Sequence, residues 1–111
     1  MKKQSIWAIW VKDFKSKIGK DYILIDIRTI PEILEWYIKW MDLNLDYYNP
    51  NYAKELDKLD RNKKYLIYCH SWSRTGMTLR FMEQIWFKEV YHLSWWIISW
   101  VNDWEELVKN N

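Results

Sequence analysis

Glycine is nearly absent from this chain: two in 111 residues, against ten tryptophans. An ordinary domain has about 7% glycine, or roughly eight in this length. The missing glycines and the surplus tryptophans are similar in number. Cysteine is scarcer still. A single one, Cys69, excludes an internal disulfide and suits a reducing compartment. Excess charge of one sign is lacking too. A net charge of +2 is too small to argue for nucleic acid or an anionic membrane as partner. No apolar run is long enough for a transmembrane span. Met1-Lys2-Lys3 before Ile6 to Val11 faintly resembles a secretory signal, but Lys12 and Asp13 break it and no small-residue cleavage site follows. The cytoplasm is the default expectation. No carboxylate pair or His/Cys cluster has metal-ligand spacing, so neither a metal nor another cofactor is expected.

What is present is organised around Tyr65 to Gly76. Tyr65-Leu66-Ile67-Tyr68 reads as a short buried strand that delivers Cys69 to a polar turn ending at Arg74. Thr75 and Gly76 then open a helical pattern through Leu79, Phe81, Met82, Ile85 and Trp86. Strand, tight loop and helix aim the first-turn N–H groups and the positive end of the helix dipole at the loop. A cysteine facing such a cradle, beside an arginine, has a lowered pKa and acts as a nucleophile near neutral pH. A lone cysteine is otherwise a small buried hydrophobe. The context favours the nucleophile.

The length fits one domain, residues 1–111, with one real core. Along it strands and helices alternate. Ser5 to Trp10 reads as a first strand, and Val11 to Ile18 as an amphipathic helix stopped by Gly19. Tyr22 to Ile27 is continuously apolar and β-branched up to Asp26, the mark of a parallel strand buried on both faces. Pro31 suits the first turn of a helix through Ile33, Leu34 and Trp36. Met41 to Leu45 alternates like a strand near the sheet edge, and Tyr52 to Leu59 reads as a helix with Leu56 and Leu59 inward. Asp57, Asp60 and Arg61 look like a solvated face. Glu89 to Leu93 is a last strand, with His92 structural, and Ile97 to Val108 a closing helix. This alternation predicts an α/β fold: a mainly parallel five-stranded sheet with helices on both faces. In such sheets the site lies beyond the carboxyl ends of the strands, where Cys69 falls.

These residues resemble a family. Asp26-Ile27-Arg28 with Glu32, followed by Trp36 to Met41, is similar to the rhodanese-domain pattern D-x-R-x-x-x-E-x-x-x-G-H-I-x-G-A. Tyr68 to Gly76 resembles its active-site loop, Y-C-x-x-G-x-R-S-G, and Trp86 to Trp100 its closing G-F-x-x-V-x-x-L-x-G-G-I-x-x-W. The departures follow a rule. Trp36, Trp40, Trp72, Trp86, Trp95 and Trp96 stand where the family has glycine, with Trp104 a further candidate, whereas Trp100 matches a family tryptophan and Tyr37 replaces the usual His. Trp7 and Trp10 match no family position. Drift does not convert one residue type into one other at six positions; a reassigned glycine codon read as tryptophan does, and deliberate engineering is the rival.

The resemblance implies the rhodanese-like three-layer fold and a sulfurtransferase. There the loop cysteine takes the outer sulfur of thiosulfate or a similar small anionic donor, carries it as a persulfide, and passes it to a thiol or cyanide. Cys69 is then catalytic. His70, Ser71, Trp72, Ser73, Arg74 and Thr75 form the substrate cradle, with Thr75 read as the helix N-cap and Arg74 as the cation for the donor. Asp26, Arg28, Glu32 and Gly76 support it, and the resemblance pairs Arg28 with Glu32. Trp72, standing at a glycine of the loop, is expected to impair turnover. Two other classes stay open. A related phosphatase or arsenate reductase has C-x5-R, one residue longer than the Cys69–Arg74 interval, and a non-catalytic rhodanese module would use the fold for binding. A monomer is the default, with exposed tryptophans as the route to association.

Overall fold

The computed structural model describes residues 3–69, 72–93 and 107–109. Seven strands and four helices are described: β1 (Ser5–Ile9), α1 (Val11–Lys17), β2 (Tyr22–Asp26), α2 (Ile30–Glu35), β3 (Trp36–Ile38), β4 (Leu43–Asn44), α3 (Tyr52–Asp57), β5 (Lys64–Tyr68), α4 (Trp72–Gln84), β6 (Glu89–Leu93) and β7 (Leu107–Lys109). Five strands form one sheet in the order β1-β6-β5-β2-β4, and every pairing in it is parallel. The expected strands at Tyr22–Ile27 and Tyr65–Tyr68 are direct neighbours there, with Ile25 opposite Ile67. The short β4 lies at the edge, as its alternating pattern predicts.

Side-chain alternation along the strands divides the core in two. On one face Leu24, Leu66, Tyr68, Tyr91 and Leu93 pack against Phe14 of α1. On the other, Ile25, Ile67, Cys69 and Val90 pack against Leu56 of α3 and Leu79 and Met82 of α4. Both faces being covered, β2 and β5 need apolar residues at every position, which is why they read as continuous rather than alternating.

Helix boundaries follow local chemistry. Gly19 takes φ +78 just after α1, a left-handed conformation that glycine adopts without strain. α2 is closed at its start by a capping box: Glu32 N donates to Thr29 Oγ1, and Thr29 N donates to Glu32 Oε1. The helix ends at Glu35, so Trp36 opens β3 rather than extending α2 as expected. β3 and β7 form a small antiparallel pair outside the main sheet, with Tyr37 opposite Val108. The closing helix expected over Ile97 to Val108 is therefore corrected at its end, where Leu107 and Val108 are strand; its earlier part lies outside the described residues.

The end of α4 carries a positive-φ tryptophan. Phe87 N donates to Met82 O (3.0 Å) and Trp86 N to Glu83 O (3.2 Å), the paired bonds of a Schellman motif. Phe87 and Met82 are buried together beneath it. In this motif the residue after the cap is left-handed and most often glycine; here it is Trp86, at φ +72 and 75% exposed.

Candidate active site

Cys69 follows the last residue of β5, the central strand, and is 2% exposed. The chain enters α4 at Trp72, three residues earlier than the Thr75 start expected from sequence. Ser73, Arg74 and Thr75 thus belong to the first turn of the helix, and Thr75 is not its N-cap. That first turn, with the positive end of the helix dipole, begins three residues after the cysteine in the chain. Trp72 takes a helical backbone and is not among the left-handed residues. His70 and Ser71, both expected in the cradle, lie outside the described residues. Gly76 sits within α4, and a Cβ there would meet nothing within 4 Å.

Thr75 is buried instead, with its hydroxyl 2.7 Å from His92 Nδ1. His92 stands opposite Ile67 in the neighbouring strand, so this bond ties the start of α4 to β6. Burial lowers the His92 imidazole to about 4, so it is neutral near pH 7. His92 lies in a strand, as expected, but its partner was not foreseen. The signal available was a polar residue inside the buried run Val90 to Leu93.

The loop after β2 supplies the second half of the site. Arg28, 1% exposed, donates from Nε and Nη2 to the Asp26 carboxylate (3.0–3.2 Å) and from its backbone N to Asp26 Oδ1 (2.8 Å). Burial pushes the Asp26 carboxyl up from its ordinary value, with Arg28 pulling against it. Arg28 also donates to the carbonyls of Glu32 and Trp36, and the Trp36 ring stacks 3.6 Å from its guanidinium carbon. Trp36 itself is extended, a conformation open to any residue.

The expected Arg28–Glu32 ion pair is corrected here. Arg28 meets only the Glu32 carbonyl, because Asp26 is two residues away on the same turn and takes its guanidinium. The Glu32 carboxylate instead accepts two bonds from Arg74, Nη1 to Oε1 and Nη2 to Oε2, each 3.1 Å. Burial opposes ionisation of Glu32, but the hydrogen bonds from Arg74 and Thr29 outweigh it and hold the carboxyl down at about 2. For Arg74, burial would lower the guanidinium, and the bonds it donates to Glu32, with the charge of Cys69, raise it instead.

Sequence reasoning missed Tyr48, Tyr52 and Thr78. The Tyr48 ring lies 5.5 Å from the Arg74 guanidinium carbon. Thr78 Oγ1 donates to Arg74 O (2.9 Å), and Tyr52 O–H in turn donates to Thr78 Oγ1 (2.7 Å). Burial raises the Tyr52 hydroxyl, and the charge of Cys69 adds to the shift, so Tyr52 and Arg74 both feel the cysteine. No local motif marks these residues; the fold alone assembles them.

This architecture recurs in solved structures. A rhodanese-related protein from Thermoplasma volcanium superposes with a TM-score of 0.78, covering 95% of this chain and 97% of its own at 23% identity. The fold is rhodanese-like. The rhodanese-like resemblance extends to a polysulfide-sulfur transferase homodimer from Wolinella succinogenes (TM-score 0.76, 17% identity, 93% of this chain and 78% of that one). It also extends to a thiosulfate sulfurtransferase from Pseudomonas aeruginosa (TM-score 0.75, 14% identity), where 95% of this chain covers 20% of that one. No family model and no curated protein matches the sequence. Among the described residues no group of three His, Cys, Asp or Glu is placed to hold a metal, and no helix is long and apolar enough to cross a membrane.

Proposed function

We propose that the protein is a rhodanese-type sulfurtransferase working through a persulfide on Cys69. One observation carries this reading: the only cysteine follows the central strand and stands three residues before the start of α4, in a fold that known sulfurtransferases share. The Cys69 thiolate attacks the outer sulfur of thiosulfate or a similar donor. The donor S–S bond breaks and sulfite leaves with its electron pair. An acceptor thiolate or cyanide then attacks the terminal sulfur of the persulfide, takes it as a persulfide or thiocyanate, and regenerates the Cys69 thiolate. First-turn N–H groups and the helix dipole stabilise the anionic sulfur at each stage. The step needs no metal or organic cofactor.

We further infer that Trp36, Trp40, Trp72, Trp86, Trp95 and Trp96 stand at glycine positions, through a reassigned codon. The left-handed Trp86 in a Schellman motif supports this. The source gene tests it: an ordinary tryptophan codon at those positions, under the standard code, sinks the idea.

A non-catalytic binding module is the second reading, favoured by the burial of Cys69 and by Trp72 at the mouth of its helix. A phosphatase fits less well, because only four residues separate Cys69 from Arg74. A thiosulfate:cyanide assay of the chain beside Trp72→Gly separates the readings. Turnover in Trp72→Gly that vanishes on adding Cys69→Ser supports transfer; none in either protein supports the binding module.

A further inference from the structure

Arg74 is the residue that a sequence reader assigns to the sulfur donor, yet its guanidinium is already engaged. Both of its terminal nitrogens donate to Glu32, in a fork-on-fork pair that a carboxylate and a guanidinium make with matched geometry. Glu32 is itself fixed. Its Oε1 also accepts from Thr29 N (2.9 Å) and Thr29 Oγ1 (3.0 Å), so three donors converge on one oxygen. The carboxylate therefore cannot swing away from Arg74 without opening the start of α2. At the other end, Thr78 and Tyr52 hold the Arg74 carbonyl. The second arginine at this edge, Arg28, is matched by Asp26 in the same way. Two cations and two carboxylates at the described site cancel.

We infer that Glu32 is the positioning residue of the Cys69 site. It clamps Arg74, and with it the first turn of α4, to the loop after β2, and it neutralises the charge that would otherwise face the donor. Arg74 then acts as the far half of a brace that sets where the helix begins relative to Cys69. The inference takes its meaning from the sulfur-transfer reading, but its test does not need turnover.

The chain has one cysteine, so alkylation reports on Cys69 alone. Neutral iodoacetamide reads access to the sulfur, and anionic iodoacetate read as a ratio to it reports the local charge. The full-length parent is compared with Glu32→Gln, Arg74→Gln and the double variant. Gln serves as well as Glu at the third helical position of a capping box, so Glu32→Gln breaks the brace and leaves the cap. Loosening the brace is expected to raise the iodoacetamide rate severalfold, equally in both single variants and no further in the double, as for two ends of one interaction. Glu32→Asp, which keeps the charge but loses the reach, should show the same rise. The double variant removes one charge of each sign, so its iodoacetate:iodoacetamide ratio should stay within about twofold of the parent. If Arg74 were instead the donor's cation, that ratio would fall about tenfold or more in the double variant. That fall, or an iodoacetamide rate unmoved by Glu32→Gln and Glu32→Asp, overturns the inference. Inactivity of Trp72→Gly toward thiosulfate would sink the transfer reading alone.

Discussion

Replacing Trp86 by glycine should stabilise the protein, contrary to the usual cost of deleting a large apolar side chain. The left-handed conformation costs an L-residue about 1–2 kcal/mol through the clash of its Cβ with the following carbonyl. Trp86 holds that conformation at φ +72, fixed by the bonds from Phe87 N to Met82 O and from its own N to Glu83 O. Its indole is 75% exposed, so truncation removes little buried area. Against the relief stands the greater freedom of glycine in the unfolded chain, worth about 0.4–1 kcal/mol. The balance is a gain of about 0.5–1 kcal/mol, or a few degrees in Tm for a domain of this size. Trp86→Ala is the control, because it discards the indole but keeps the Cβ. Urea titration of the three proteins, with m-values checked for constancy, measures the difference. The reasoning fails if Trp86→Gly is no more stable than Trp86→Ala.

Other perturbations test different parts of the molecule. The His92 imidazole is held near 4 in the folded state against its ordinary 6.5, so between those values the unfolded chain binds a proton that the folded one refuses. Stability should therefore be level above pH 6.5 and fall by at most about 3 kcal/mol as pH drops to 4, with His92→Gln flattening that slope in urea titrations at several pH values. Asp26→Asn leaves the Arg28 guanidinium buried without its counter-charge and should cost about 3–5 kcal/mol; a loss below 1 kcal/mol would show that Trp36 and the carbonyls suffice. Restoring glycine at 72 should raise kcat/KM for thiosulfate from near zero, by roughly a hundredfold if the indole displaces the thiolate by about 1 Å, and restoring 72, 95 and 96 together should raise it further. Family-like activity in the unaltered chain would refute the steric argument.

Local chemistry settled much of this molecule. Continuous apolar runs at Tyr22–Ile27 and Tyr65–Tyr68 read as strands covered on both faces, and Gly19 as the end of a helix, and the structure has both. A lone cysteine between such a strand and a helical pattern marked the candidate site without any knowledge of the sheet order. Departures occur where partners come from far along the chain. Trp36 leaves its helix because β7, more than seventy residues later, pairs with it. Thr75 reads locally as a cap, yet it is drawn into the core by His92 of β6. Glu32 has an arginine four residues before it, at a spacing that invites pairing. Asp26 takes that arginine first, and Glu32 is left to meet Arg74, forty-two residues on, across the ends of β2 and β5. Sequence shows which groups seek partners; where several satisfy the same charge, only the packed sheet decides which one arrives.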